Sequence, residues 1–233
     1  FQTAVETLGE TTHPVRNRLH VHWVQAWALA EQDVPEEIRN QLGNFKMIAQ
    51  QQGDHKTFVM CLWLEGEFDR ITTGAGKTSN RHLEKVLLHY RDLEDEYYVA
   101  RVLQSMAFNY LEFIRYDENI FVATNEEYLN LSRAIGDQDG VAHAIYYAAV
   151  HAGFFGRYSE SASFFHEAYV IWKEIGDLKS VAVSMIPQVF MNLMQGHFED
   201  ALMQAEYLIR IGSDINFAWI LGQSCFDSLF QYI

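Results

Sequence analysis

The stretch GDQDGVAHAIYYAAVHAGFFGRYSESASFFHEAYVIWKEI, residues 136–175, runs straight into GDLKSVAVSMIPQVFMNLMQGHFEDALMQAEYLIRI, residues 176–211. The second stretch begins 40 residues after the first and keeps its order of features. Gly136-Asp137 aligns with Gly176-Asp177, Val141-Ala142 with Val181-Ala182, and Gly156-Arg157-Tyr158 with Gly196-His197-Phe198. Self-similarity at such a period is the mark of stacked helix hairpins, each of which buries its apolar face only against its neighbours.

Working outward, the same plan divides the whole chain. Units are expected at 10–52, 53–92, 93–135, 136–175 and 176–211, with a half unit at 212–233, all in one domain. In the first, Leu19, Trp23, Ala26, Trp27 and Ala30 share one face of a helix over 15–31. Asp33 then caps a second helix, with Pro35 in its first turn, where the missing N–H is harmless. In the second unit, residues 65–68 (EGEF) read as the Gly-x-aromatic turn, residues 72–80 (TTGAGKTSN) as a loop, and Asn80 as the cap of the next helix. The third unit lacks the Gly-Asp opening but aligns through Val99-Ala100 and Tyr116. The last helix carries Phe217, Trp219, Ile220, Leu221, Phe226, Leu229 and Phe230. That is too apolar for a terminal repeat, so the array is expected to continue in a longer protein.

Composition narrows the function. With 49% hydrophobic residues and only 3 prolines among 233 residues, the chain has the makings of a folded core and few linkers. A net charge of −14 disfavours nucleic acid, which needs clustered Lys and Arg. No apolar run approaches the roughly 18 residues of a membrane span. Cys61 and Cys225 sit far apart in apolar helical contexts and read as buried thiols of a reducing cytoplasm.

The hairpins resemble tetratricopeptide repeats. Gly156-Arg157-Tyr158 leads to Ser161, Phe165 and Ala168, close to the family's small–aromatic–small spacing, and Gly196-His197-Phe198 leads to Ala201. Ala107, Ala149 and Val189 fall where the family places a small residue in the first helix. Units of 36–42 residues joined by Ala134–Asp137 and Glu174–Asp177 are longer than the usual 34 and look like the sensor arrays of MalT-type transcription activators and related signal-transduction ATPases. The resemblance implies an all-α, right-handed superhelical solenoid of antiparallel helix hairpins, placed beside an ATPase module and sensing an inducer or partner. Arrays of peptide-sensing quorum regulators are similar too.

No constellation points to catalysis. Gly76-Lys77-Thr78 resembles the end of a phosphate loop, but Ile71 stands where the motif needs its first Gly. His20 and His22 cannot share a helix face, and His143 and His151 are two turns apart, so no metal is expected. Glu94-Asp95-Glu96 and Glu126-Glu127 read as helix-start or solvent-face charges. No cofactor is implied.

The resemblance implies that the first helix of each unit lines the inner, concave face, and that face is the expected site. Helical projection places Arg101, Gln104, Phe108 and Glu112 there, then His143, Tyr146, Val150 and Phe154. Val183, Ile186, Phe190 and Met194 follow, then Trp219, Gln223, Phe226 and Phe230. Mixed aromatic and polar residues suit a recognition groove. Pro187 within a helix is expected to kink it. The expected role is a ligand- or protein-binding array of a cytoplasmic regulator. Its occupant is a protein or peptide, with a small-molecule inducer as the alternative. A protein–protein scaffold is the competing role.

Overall fold

A computed structural model describes Val21 and residues 36–73, 76–112 and 118–214. The chain divides into two compact units, residues 1–117 and 118–233. The first contains α1 (Glu36–Gln52), α2 (His55–Thr73), α3 (Gly76–Asp92) and α4 (Glu96–Glu112). The second contains α5 (Glu118–Ala134), α6 (Gln138–Phe154), α7 (Tyr158–Ile175), α8 (Leu178–Met194) and α9 (Phe198–Asp214). Among the described residues all regular structure is helical, and within each unit every helix packs on the next in sequence. Joints this short between packed helices make antiparallel hairpins.

One joint recurs. At Gly53, Gly136, Gly156, Gly176 and Gly196 the backbone turns left-handed, with φ between 67° and 78°. In each case the next residue's N–H reaches back to a carbonyl five residues earlier, as in Asp137 N to Ser132 O (2.9 Å) and Asp177 N to Trp172 O (2.9 Å). This is the Schellman closure of a helix, and glycine suits it because a Cβ strains the turn. At four joints an aspartate then opens the next helix. The Asp137 carboxylate accepts from Gly140 N (3.0 Å) and that of Asp177 from Ser180 N (3.1 Å); Asp54 and Asp95 do the same for Thr57 N and Tyr98 N. One aspartate therefore ends a closure and starts a cap.

The joint between α3 and α4, which has no glycine in the sequence, has the same geometry. Glu94 takes the left-handed position at φ 54°, and Asp95 N reaches Tyr90 O at 3.1 Å. An L-residue held there costs roughly 1–2 kcal/mol, partly offset because glycine loses more chain entropy on folding. Glu94→Gly should stabilise the chain by about 0.5–1 kcal/mol in chemical denaturation, and Gly136→Ala should destabilise it by a similar amount.

Two local expectations are corrected. Residues 65–68 are not a turn: α2 runs through them to Thr73. Gly66 is instead the small residue of its helix, in the register of Ala107, Ala149 and Val189. A Cβ on it would stand 3.2 Å from His82 Cδ2 and Leu83 Cδ2, so its bareness lets α3 come close. Nor does the next helix wait for Asn80; α3 begins at Gly76. A glycine and hydroxyl-rich segment reads as a loop, yet at a helix start the first N–H groups have no intrahelical partner to lose. Pro187 lies inside the continuous α8.

The second helices carry the core at a fixed register. Phe121, Asn125, Tyr128 and Ser132 of α5 are buried, as are Ser161, Phe165, Ala168 and Trp172 of α7, and Ala201 and Leu208 of α9. The spacing i, i+4, i+7, i+11 is one helix face. Sizes trade places between repeats: Tyr128 corresponds to Ala168, and Ser132 to Trp172. Trp172 gathers Val141, Ala142 and Ile145 of α6 and Val181 of α8 into one cluster.

Candidate functional site

In the second unit, α6 alternates closed and accessible positions. Val141, Ala142, Ala144, Ile145, Tyr147 and Ala149 are buried, whereas His143, Tyr146 and Val150 are half-buried. α8 repeats this 40 residues on: Val181, Ala182, Ser184, Met185 and Val189 are buried, with Val183 and Ile186 half-buried. Spacings of three and four place 143, 146 and 150 along one stripe of the helix.

The stripe is tied to the core beneath it. The Trp172 indole N–H donates to Asp139 Oδ1 at 3.0 Å. The same oxygen lies 3.6 Å from His143 Nε2, one helical turn along. The His143 ring meets Trp172 edge-on at 5.0 Å between centroids. Tyr146 packs on Phe165 (5.5 Å) and Trp172 (5.7 Å), and burial pushes its phenol up to about 12, so it stays protonated. Tyr146 is thus half structural, and a truncation there would disturb packing as well as any ligand. The sequence reading passed over Asp139 and Trp172; the signal was Asp139 four residues before His143, on the same helix face.

Phe154 lies at the end of α6 and is exposed. Phe190 and Met194 lie in α8, but their side chains, like that of Glu112, are outside the described residues. Trp219, Gln223, Phe226 and Phe230 are also outside them.

In the first unit, Arg101, Gln104 and Phe108 of α4 are likewise half-buried. Arg101 Nη1 donates to Gln104 Oε1 at 2.9 Å, and the guanidinium lies 5.1 Å from the centroid of the Tyr97 ring. Such cation–aromatic contacts hold an arginine in place while leaving it accessible. On the same helix Tyr98 stacks on Tyr90 at 4.9 Å, with planes 9° apart, and meets Trp63 edge-on.

A small pocket in the same unit is lined by Arg39, Leu42, Glu65, Phe68 and His82. Arg39 Nη2 donates to Phe68 O (2.9 Å), Glu65 pairs with Lys46, and His82 Nε2 lies 2.7 Å from Leu62 O. Its polar groups serve the fold.

Among the described residues no three metal-ligating side chains converge, and no helix is long and apolar enough to cross a membrane. Gly76-Lys77-Thr78 opens a helix that follows a helix, not a strand. Cys61 is buried, and burial above all pushes its thiol up to about 12, which makes it unreactive. Cys225, His20 and His22 are outside the described residues.

His151 is a buried histidine of the second unit. It stacks on Phe121 of α5 (4.6 Å) and leans on Phe155 (4.7 Å). Arg157 Nη2 lies 3.1 Å from its Nδ1, and Glu118 Oε1 3.5 Å from its Nε2. A donating guanidinium makes Nδ1 the acceptor, so the neutral ring carries its proton on Nε2, toward Glu118. Burial holds the pKa below the ordinary 6.5 and Arg157 adds to that; Glu118 and Glu160 oppose it. The unfolded chain therefore takes up this proton first. Stability from this site is full above pH 6.5 and declines as pH falls toward the folded value. The melting temperature should drop more on acidification for the native chain than for His151→Gln.

No protein-family model and no curated protein matches the sequence. A solved structure does match: the signal transduction ATPase with numerous domains (STAND) protein with a tetratricopeptide repeat sensor from Pyrococcus horikoshii, at a TM-score of 0.64 and 16% identity over 85% of this chain. The fold is a tetratricopeptide-like α-solenoid. The chain spans 30% of the length of that protein.

Proposed function

We propose that this chain is a recognition array without catalytic activity. The accessible stripe of its first helices binds a protein or peptide segment on behalf of a larger cytoplasmic regulator of the MalT-like signal-transduction ATPase type. The observation that carries this reading is the repeated register. His143 and Val183, and Tyr146 and Ile186, hold equivalent positions in successive first helices and stay half-buried while their neighbours close. Apolar and aromatic groups kept accessible at a fixed spacing suit an extended occupant more than a small polar one. The likeness to a protein whose tetratricopeptide array is described as a sensor supports the same role for this one. The mechanism is population shift: an occupant that favours one arrangement of the hairpins biases the modules attached to them.

Thermal-shift titrations with sugars, nucleotides and short peptides test this. A binder selective for the folded state adds stability by mass action, about 2.7 kcal/mol at a hundredfold excess over Kd. Peptides should give a saturable shift, and Val150→Glu, which places a charge on the stripe, should remove it. A shift that survives Val150→Glu puts the site elsewhere, and silence from all three classes would sink the reading.

A further inference from the structure

The second helices have an outward face that the fold does not use, and its composition changes abruptly along the second unit. On α5 it consists of Val122, Ala123, Glu126, Glu127 and Asn130; on α7, of Ala162, Ser163, His166, Glu167 and Val170. These are small or polar residues with few large apolar groups. The same positions on α9, 40 residues after those of α7, are Leu202, Met203, Glu206, Tyr207 and Arg210. Leu202 and Met203 are each 63% exposed and Tyr207 is 40% exposed, with Phe198 (67%) at the start of the same helix.

This exposure is not the open end of the array. The face of a second helix that receives the following hairpin is known from α7, where Tyr169 packs on the cluster of Ala182, Met185 and Val189. Its counterpart on α9 is Ile209, not Leu202 or Met203. Ala162, Ser163 and Glu167, the counterparts of Leu202, Met203 and Tyr207, stay exposed although α7 is packed by α6 on one side and α8 on the other. A further helix docked in register would leave the Leu202–Tyr207 face open. Isolated exposed apolar side chains are ordinary, but a cluster on one helix face marks an interaction site.

Charge selects the occupant. Glu199, Asp200 and Glu206 surround the apolar group against one cation, Arg210, and the chain as a whole carries −14. A second copy would bring like charges together, whereas a basic segment gains from both terms. We propose that the outward face of α9 is a second docking surface, distinct from the inner stripe, and takes a basic amphipathic helix whose apolar edge covers Leu202, Met203 and Tyr207. Helix-on-groove recognition of this kind uses adaptable Met and Leu contacts flanked by charge.

The test uses two fluorescent amphipathic peptides about four turns long, one of Leu and Lys, the other of Leu and Glu. The Lys peptide should bind the chain saturably and the Glu peptide should not. Leu202→Ser/Met203→Ser, both exposed and remote from the core, should weaken Lys-peptide binding at least about tenfold, with circular dichroism unchanged. Glu199→Gln/Glu206→Gln should weaken it and reduce its salt dependence, and Val150→Glu on the inner stripe should leave it unaltered. The proposal is overturned if the Lys peptide does not bind, if the Leu202→Ser/Met203→Ser chain binds it as the native one does, or if both peptides bind alike. It is also overturned if sedimentation shows a dimer that this double substitution dissolves, which would make a second copy the occupant.

Discussion

Trp172→Ala should destabilise the second unit by about 4 kcal/mol. The side chain is only 1% exposed and joins three helices in one cluster, so its removal leaves a large void that neither Ala142 nor Ala168 can fill. It also leaves the Asp139 carboxylate without its indole donor. Trp172→Phe separates the two effects. It restores most of the volume and removes only the hydrogen bond to a charged acceptor, and should cost about 1–2 kcal/mol. Urea denaturation of both variants checks this. Equal losses would mean that the hydrogen bond, and not the packing, holds the cluster.

The second large effect is expected where α6 and α7 come closest. Ser161 is fully buried, its hydroxyl donates to Ala149 O at 2.8 Å, and a Cβ on Gly153 would sit 3.2 Å from that hydroxyl. Three small residues allow this approach. Ser161→Ala loses one hydrogen bond and should cost about 1 kcal/mol. Ser161→Leu adds bulk at a contact with no slack and should cost about 3 kcal/mol, because overpacking forces helices apart or side chains off their rotamers. The corresponding pair in the next hairpin, Val189 and Ala201, is also buried and places the larger side chain on the first helix. The contact is therefore set by the sum of the two side chains, and Ser161→Leu should be relieved in part by Ala149→Gly.

The repeat was legible because its most demanding positions are residue-specific. A left-handed joint calls for glycine and the cap after it for a short oxygen-bearing side chain, so Gly-Asp recurs and sets the frame. Where another residue fills the same geometry, the frame had to come from the neighbouring letters. Glu94 adopts the left-handed turn, so the joint at 93–95 shows no Gly-Asp although its hydrogen bonds match the others, and its place was read from the alignment of Val99-Ala100. Gly66 misled, because a glycine that serves close packing inside a helix looks like one that ends a helix. Periodicity placed His143, Tyr146 and Val150 on one face of their helix, and all three are half-buried. What periodicity could not provide was the partner of each side chain. That Tyr146 leans on Phe165 and Trp172, and that Asp139 links Trp172 to His143, depends on contacts between helices. His151 was weighed as a metal ligand and is instead clasped between Phe121 and Glu118 of α5 and Phe155 and Arg157 of the joint after α6.

The most direct test of the recognition role is site-specific photo-crosslinking in the cells that make this protein. One reactive residue replaces Val150 on the inner stripe, and a reference replaces Ser163 on the outer face of α7. A discrete crosslinked species from position 150 and none from position 163 is the predicted result. Crosslinks from position 163 alone, or from neither, would contradict a binding site on the inner stripe.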